Sequence, residues 1–283
     1  TGNITIIGNG GTSQGVRLLN GATISSTSTS ASAGTITITG ESIDNSNIGV
    51  NLNPGTVTSV NGNISITGTA DATTSNDPGA RIQGASLISS TGTGANAATI
   101  TIVGTSGNGA SSAANGITFA GSASTTSVDG DISITGSTLG TASGADGFSM
   151  TSTGGITTTG TGSNAGNITI DGSGNALTAG SRGILISNAS SNVDTVDGDI
   201  TLVGSAGSGT EAIAVTNGTV GTGSTTGDIT FTASGIIDLD NTVQSSGSLV
   251  IQPTGFGNNI GLGDGASGNL LFDSTSATNL SGF

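Results

Sequence analysis

The side chains able to do chemistry in this chain are few and nearly all acidic. Seventeen Asp and Glu stand against three Arg (Arg17, Arg81 and Arg182), with no Lys, His, Cys, Trp or Tyr in 283 residues. Without His or Cys, neither a Ser–His–Asp triad nor a thiolate nucleophile can be assembled. What remains is carboxylate chemistry. Asp129 and Asp131, Asp197 and Asp199, and Asp238 and Asp240 stand two positions apart. On a strand that spacing puts both groups of a pair on one face, as two-carboxylate glycoside hydrolysis needs. The rest of the composition argues the other way. A uronate lyase wants cations around its substrate, and the three Arg are far apart in sequence. Sugar sites favour aromatic platforms, and neither Trp nor Tyr is present to supply one. Asp beside Gly ahead of a strand is most simply a turn residue. The expectation is a protein that is not an enzyme, with a polysaccharide-degrading β-helix as an alternative.

Metal binding is the second chemistry these residues suggest. Asp131, Asn167, Asp199 and Asp228 follow the first Gly of a recurring phrase in four consecutive repeats. Stacked carboxylates and amide oxygens are hard ligands of the kind Ca²⁺ takes. The same position holds Asn3, Thr35, Asn63 and Thr99 earlier in the chain, and the dense Gly-Gly-x-Gly-x-Asp calcium repeat is absent. A hydrogen-bonded polar ladder is the competing reading. Gly-rich stretches such as 104–109 lack the Lys and the helix of a phosphate loop.

The elements that must position these residues are set by the phrase itself. It reads GNITIIG at 2–8, GTITITG at 34–40, GNISITG at 62–68, ATITIVG at 98–104, GDISITG at 130–136, GNITIDG at 166–172, GDITLVG at 198–204 and GDITFTA at 227–233. Its first apolar residues, Ile4 to Ile229, are separated by 32, 28, 36, 32, 36, 32 and 29 residues, and a shorter step reaches Leu249. Each interval holds two further strand signals. One is strong (Val16 to Leu18, Val50 to Leu52, Ala80 to Ile82, Ile117 to Phe119, Phe148 to Met150, Ile184 to Ile186, Ile213 to Val215). The other is weak (Ile24, Val57, Ile88, Ile156, Val193, Val220). Three strands and three corners per interval describe a triangular coil. Repeats that bury their apolar faces by stacking on neighbours make a solenoid. The fold expected is all-β: a right-handed three-sided parallel β-helix of about nine coils, the hand following the rule for parallel crossovers. At the ordinary interstrand spacing this is a rod roughly 40 Å long. Residues 1–245 form the regular part and 246–283 shorter, less regular coils of the same solenoid. The V-[ND]-G-[ND]-I motif recurs at Val60, Val128 and Val196, a spacing of 68, so the unit of duplication is a pair of coils.

Alternation turns the two apolar positions of the phrase inward, Ile4 to Leu249 in one column and Ile6 to Ile251 in the next. Between them an outward column reads Thr5, Thr37, Ser65, Thr101, Ser133, Thr169, Thr201, Thr230 and Val250. A Thr array of this kind orders water in some β-helical ice-binding proteins. The companion column breaks it with Ile7, Val103, Asp171, Val203 and Gln252, and Thr suits any solvated strand face. Gly at the corners is expected to supply backbone angles that other residues resist. Segments after the phrase vary most in length, notably 69–78 and 105–115. Variable loops on a rigid scaffold are where a ligand would bind.

Composition excludes other classes. A formal charge of −14 with three Arg repels phosphate backbones, so no nucleic acid and no anionic membrane is expected as partner. No stretch is long and apolar enough for membrane insertion, and no leader is visible. The regular placement of apolar residues argues against disorder despite 52 Gly.

The stacked Gly-Asp/Asn-Ile-Thr-Ile-Thr-Gly phrases, with the tail elements SLVIQP at 248–253, NIGLG at 259–263 and GNLLF at 268–272, resemble the β-helical repeat regions of filamentous-haemagglutinin-like bacterial surface adhesins. The resemblance implies export to the bacterial cell surface or beyond and a structural role as stalk, fibre or adhesin scaffold. No cofactor is expected apart from the calcium considered above. The alternative is a module that binds a surface glycan or host ligand through its corner loops. A strand phrase at 2–8 with no cap before it exposes an unpaired edge. Cover is expected from further coils of the same polypeptide, or from identical copies stacked head to tail with the tail at 258–283 supplying the contact.

Overall fold

The computed structural model describes the chain apart from residues 1, 12, 44–46, 72–76, 109–113, 142, 176–179, 207–208 and 256–257. The phrase forms one side of a three-sided solenoid. Its nine strands, from Ile4–Asn9 through Ile36–Ser42, Ile64–Ala70, Ile100–Ser106, Ile132–Thr138, Ile168–Ser173, Ile200–Ser205 and Ile229–Ser234 to Leu249–Pro253, stack as one parallel sheet, joined by eight turns of chain. The register is without slip: Ile4 pairs with Ile36, Ile36 with Ile64, and so on to Ile229 with Leu249. The coil count is close to the nine expected.

The second side carries the three-residue strands Ala80–Ile82, Ile117–Phe119, Phe148–Met150 and Ile184–Ile186, with Glu211–Val215, Ile236–Leu239 and Leu270–Phe272 beyond them. The third carries Leu87–Ser90, Ser124–Ser127, Gly154–Thr158, Ser191–Asp194, Thr219–Val220, Val243–Gln244 and Leu280–Ser281. In the first two coils, Val16–Ser26 and Val50–Ser59 run unbroken across both sides. The longer of these makes room for its one extra residue at Asn20 and Gly21, both at positive φ (54° and 76°), where its register against Val50–Ser59 shifts.

Ile and Leu from the first side, Ile, Val, Met and Phe from the second and Val or Ile from the third fill the interior, with nearly every inward aliphatic at 0–1 % exposure. Each buried aliphatic contributes roughly 1.5–3 kcal/mol before chain entropy is subtracted. Phe119 and Phe148 sit on adjacent rungs with ring centroids 5.7 Å apart. One strand carries no such residue. Ser124–Ser127 turns Thr125 and Ser127 inward, and the sequence reading missed it because it has no aliphatic.

Corner glycines serve two purposes: several, such as Gly84, Gly121, Gly94 and Gly162, take the positive φ expected of them, while those that end the phrase serve closeness. Gly40, Gly68, Gly136 and Gly172 are outside the positive-φ set. A Cβ on any of them would overlap the carbonyl oxygen of the Gly that opens the next strand, Gly49, Gly79, Gly147 and Gly183 respectively. Each variable segment therefore leaves and re-enters the coil at one Gly–Gly contact. Its length can range from six residues (9–14) to eleven (105–115) without disturbing the stack.

The tail lies against its own chain. Leu270–Phe272 pairs with Ile236–Leu239, Leu280–Ser281 with Val243–Gln244, and the short helix Ser274–Thr278 between them is capped by Asp273, which accepts from Ser276 N at 2.7 Å. Those strand edges are used within the chain.

Candidate functional site

The residues expected as a cation ladder, at the corner before the first side, hydrogen-bond from coil to coil. Asp131 Oδ1 accepts from Asn167 N at 2.8 Å, Asn167 Oδ1 from Asp199 N at 2.8 Å, Asp199 Oδ1 from Asp228 N at 2.8 Å, and Asp228 Oδ1 from Ser248 N at 2.7 Å. Asn3 and Asn63 do the same for Thr35 and Thr99. Each side chain satisfies a donor that no strand partner reaches, so Asp and Asn are interchangeable there. Among the described residues no group of three or more acidic side chains is placed to hold a metal ion.

Two of the three carboxylate pairs come apart. Asp129 and Asp131 flank a bend, not a strand, and turn in opposite directions along the rod. Asp129 Oδ2 accepts from Gly94 N at 2.6 Å in the preceding coil, while Asp131 serves the following one. Asp197 repeats the arrangement with Gly162 N at 2.7 Å and adds Thr226 Oγ1 at 2.8 Å, bonds that hold its carboxyl below the usual range. The Gly94 and Gly162 amides open short 3₁₀ turns (Gly94–Asn96 and Gly162–Asn164), and both glycines have positive φ, 72° and 76°. A tight Asp-Gly-Asp corner thus clamps a wider turn in the coil before it, and this alternation is the basis of the two-coil repeat.

The third pair stays together. Asp238 on Ile236–Leu239 lies beside Asp240, with Glu211 and Asp273 near, and partial burial followed by these like charges pushes it up to about 6.

The site that sequence reasoning missed is on the outer surface of the second side. The middle residues of its strands align as Arg17, Asn51, Arg81, Thr118, Ser149, Leu185 and Ala214. The residues entering the strands add Asn115, Asp146, Arg182 and Glu211. These outward side chains are covered nonetheless: Asn115 is 7 %, Thr118 8 %, Asp146 2 % and Ser149 2 % exposed. The corner builds a second, buried ladder, in which Asn115 Oδ1 accepts from Asp146 N at 2.7 Å and Asp146 Oδ1 from Arg182 N at 3.0 Å. Arg182 Nε stands 3.1 Å from Glu211 Oε2, an ion pair without hydrogen-bond alignment, and Arg182 Nη1 is 4.0 Å from Asp146 Oδ1. Burial outweighs the Arg182 amide and guanidinium and pushes the Asp146 carboxyl up to about 7. A groove of about 330 Å³ runs over this ladder, with Arg81 and Arg182 both in its lining although 101 positions separate them. Aligning the residue before each second-strand Gly (Asn115, Asp146, Arg182) would have revealed the column.

The loops at 69–78 and 105–115, expected as ligand sites, have their central residues 72–76 and 109–113 outside the described set. On the first side, Thr5 to Val250 do form one straight outward column, beside the mixed column of Ile7, Thr39, Thr67, Val103, Thr135, Asp171, Val203, Thr232 and Gln252. No helix among the described residues is long and apolar enough to cross a membrane.

No family model matches the chain, and comparison with curated proteins and with solved structures likewise gives no match.

Proposed function

We propose that the chain is a non-catalytic structural segment of a large exported bacterial surface protein, working as a stalk, fibre or adhesin scaffold. The observation that carries this reading is the unbroken register of the nine-stranded side, where the same position in every coil meets the same position in the next. Such a stack sets length and stiffness through a repeated interface and asks nothing chemical of most of its surface. The resemblance of its phrases to adhesin repeats agrees with that role and supports a cell-surface location. Antibodies raised against the purified segment test it directly. Labelling of intact cells of the encoding organism is the expected result. Labelling that appears only after lysis would overturn the surface assignment.

A further inference from the structure

We propose that the groove on the second side binds a small sugar carrying one carboxylate, with Arg81 as the residue that receives the carboxylate. All three cations of a chain with net charge −14 lie on this side, Arg17 and Arg81 in one column two rungs apart and Arg182 at the corner. They are differently engaged. Arg182 is held by Glu211 and leans on Asp146. Arg81 has its Nε out of solvent without a hydrogen-bond partner, and no ion pair to it occurs among the described residues. Arg81 is thus a groove-lining cation without a counter-charge, and the anion its planar fork fits is a carboxylate, taken through two parallel bonds.

The neighbouring groups define the rest of the ligand. Asn115, Thr118 and Ser149 form a nearly covered polar floor, in which Asn115 Nδ2 donates to Thr118 Oγ1 at 3.1 Å, while Thr151 offers an exposed hydroxyl and Leu185 an apolar patch for a ring face. About 330 Å³ lies at the low end of small-molecule pockets, room for one or two sugar rings. The charge count favours a single negative group. Arg81 is the one cation of the groove lining without a counter-charge, and the carboxyl of Asp146 in the same lining disfavours a doubly charged phosphate. This inference is independent of the structural role proposed above, since a scaffold can carry such a site or lack it.

Titration of the isotope-labelled 283-residue chain at pH 7 with glucuronate, glucose and inorganic phosphate, followed by amide NMR, tests the assignment. Glucuronate is expected to shift amides at Gly144, Ser149 and Leu185 saturably and to bind at least about tenfold more tightly than glucose or phosphate, a difference of about 1.4 kcal/mol. Arg81→Gln should lose at least that factor, while Arg17→Gln, outside the groove lining, should bind as before. Arg81→Lys, which keeps charge but not the fork, should weaken binding as well, and it serves if Arg81→Gln fails to fold. Equal binding of glucose and glucuronate would overturn the proposal. So would unaltered glucuronate affinity in a folded Arg81 variant, or no saturable shift in the millimolar range.

Discussion

At the scale of single residues, the same chemical type does opposite things according to where the coil puts it. Asp197 accepts two hydrogen bonds at the surface, so its carboxylate form is favoured and its contribution is lost as pH falls through its lowered value. Asp146 is buried, and its neutral form is favoured instead. The rise from 3.8 to about 7 amounts to at most about 4 kcal/mol of cost once the group is ionised. That cost is absent below about pH 4, grows between there and pH 7, and is constant above. Asp146→Asn keeps an oxygen for the Arg182 amide and removes the charge. It should raise the melting temperature at pH 8 by several degrees and leave that at pH 4 nearly unchanged, which thermal scans at the two pH values would check. A second contrast lies in the buried Ser and Thr of the third side. Thr195 Oγ1 donates to the Gly198 carbonyl at 2.5 Å, whereas Ser127 Oγ is buried without a partner. Thr195→Ala should cost about 1–2 kcal/mol and Ser127→Ala less than about 0.5 kcal/mol in denaturant unfolding.

At the scale of elements, the strands were legible to the extent that their inward positions are aliphatic. The phrase declares itself because Ile recurs at two positions in nearly every coil, and the second strands declare themselves through Gly followed by two alternating apolar residues. Ser124–Ser127 went unread because its inward Thr125 and Ser127 differ from the Val and Ile that serve elsewhere on that side. The groove was hidden for another reason. Arg81 and Arg182 meet through three rungs of stacking, and loops of unequal length obscure that register in the sequence. Of the two readings open for the Asp pairs, strand neighbours or turn residues, Asp129 and Asp197 take the second, since both lie in bends. The Gly–Gly contacts yield a prediction at this scale. Gly136→Ala pushes a methyl into the Gly147 carbonyl and should destabilise by at least about 2 kcal/mol in equilibrium unfolding. Removing three residues between Gly104 and Gly116 should change stability by less than about 1 kcal/mol, because the loop already starts and ends at one place.

At the scale of the whole molecule, the alternation of tight and wide corners means that adjacent coils are not equivalent, while coils two apart are. Excising residues 130–197 joins Asp129 to Gly198 and restores the same Val-Asp-Gly-Asp-Ile sequence. Asp129 keeps its bond to Gly94 N, and Asp199 keeps its bond to Asp228 N. The shortened chain should fold with a β-rich circular dichroism spectrum and a cooperative melt. Excising residues 98–129 instead leaves Gly94 N without its acceptor and sets two wide turns against each other. That chain should melt at a distinctly lower temperature than the one lacking 130–197, although it loses fewer coils. If the two deletions melt alike, the corner clamp does not set the repeat.

The clamp has a meaning for how such a gene can change. Slippage or unequal crossing-over between near-identical DNA copies adds or removes whole units, and a protein survives only those exchanges that leave its contacts in phase. Here the in-phase step is 68 codons, and single-coil exchanges strand a clamp or a turn. Length variants of this protein in a population should therefore differ by even numbers of coils, so that the reach of the rod is inherited in steps of about 10 Å.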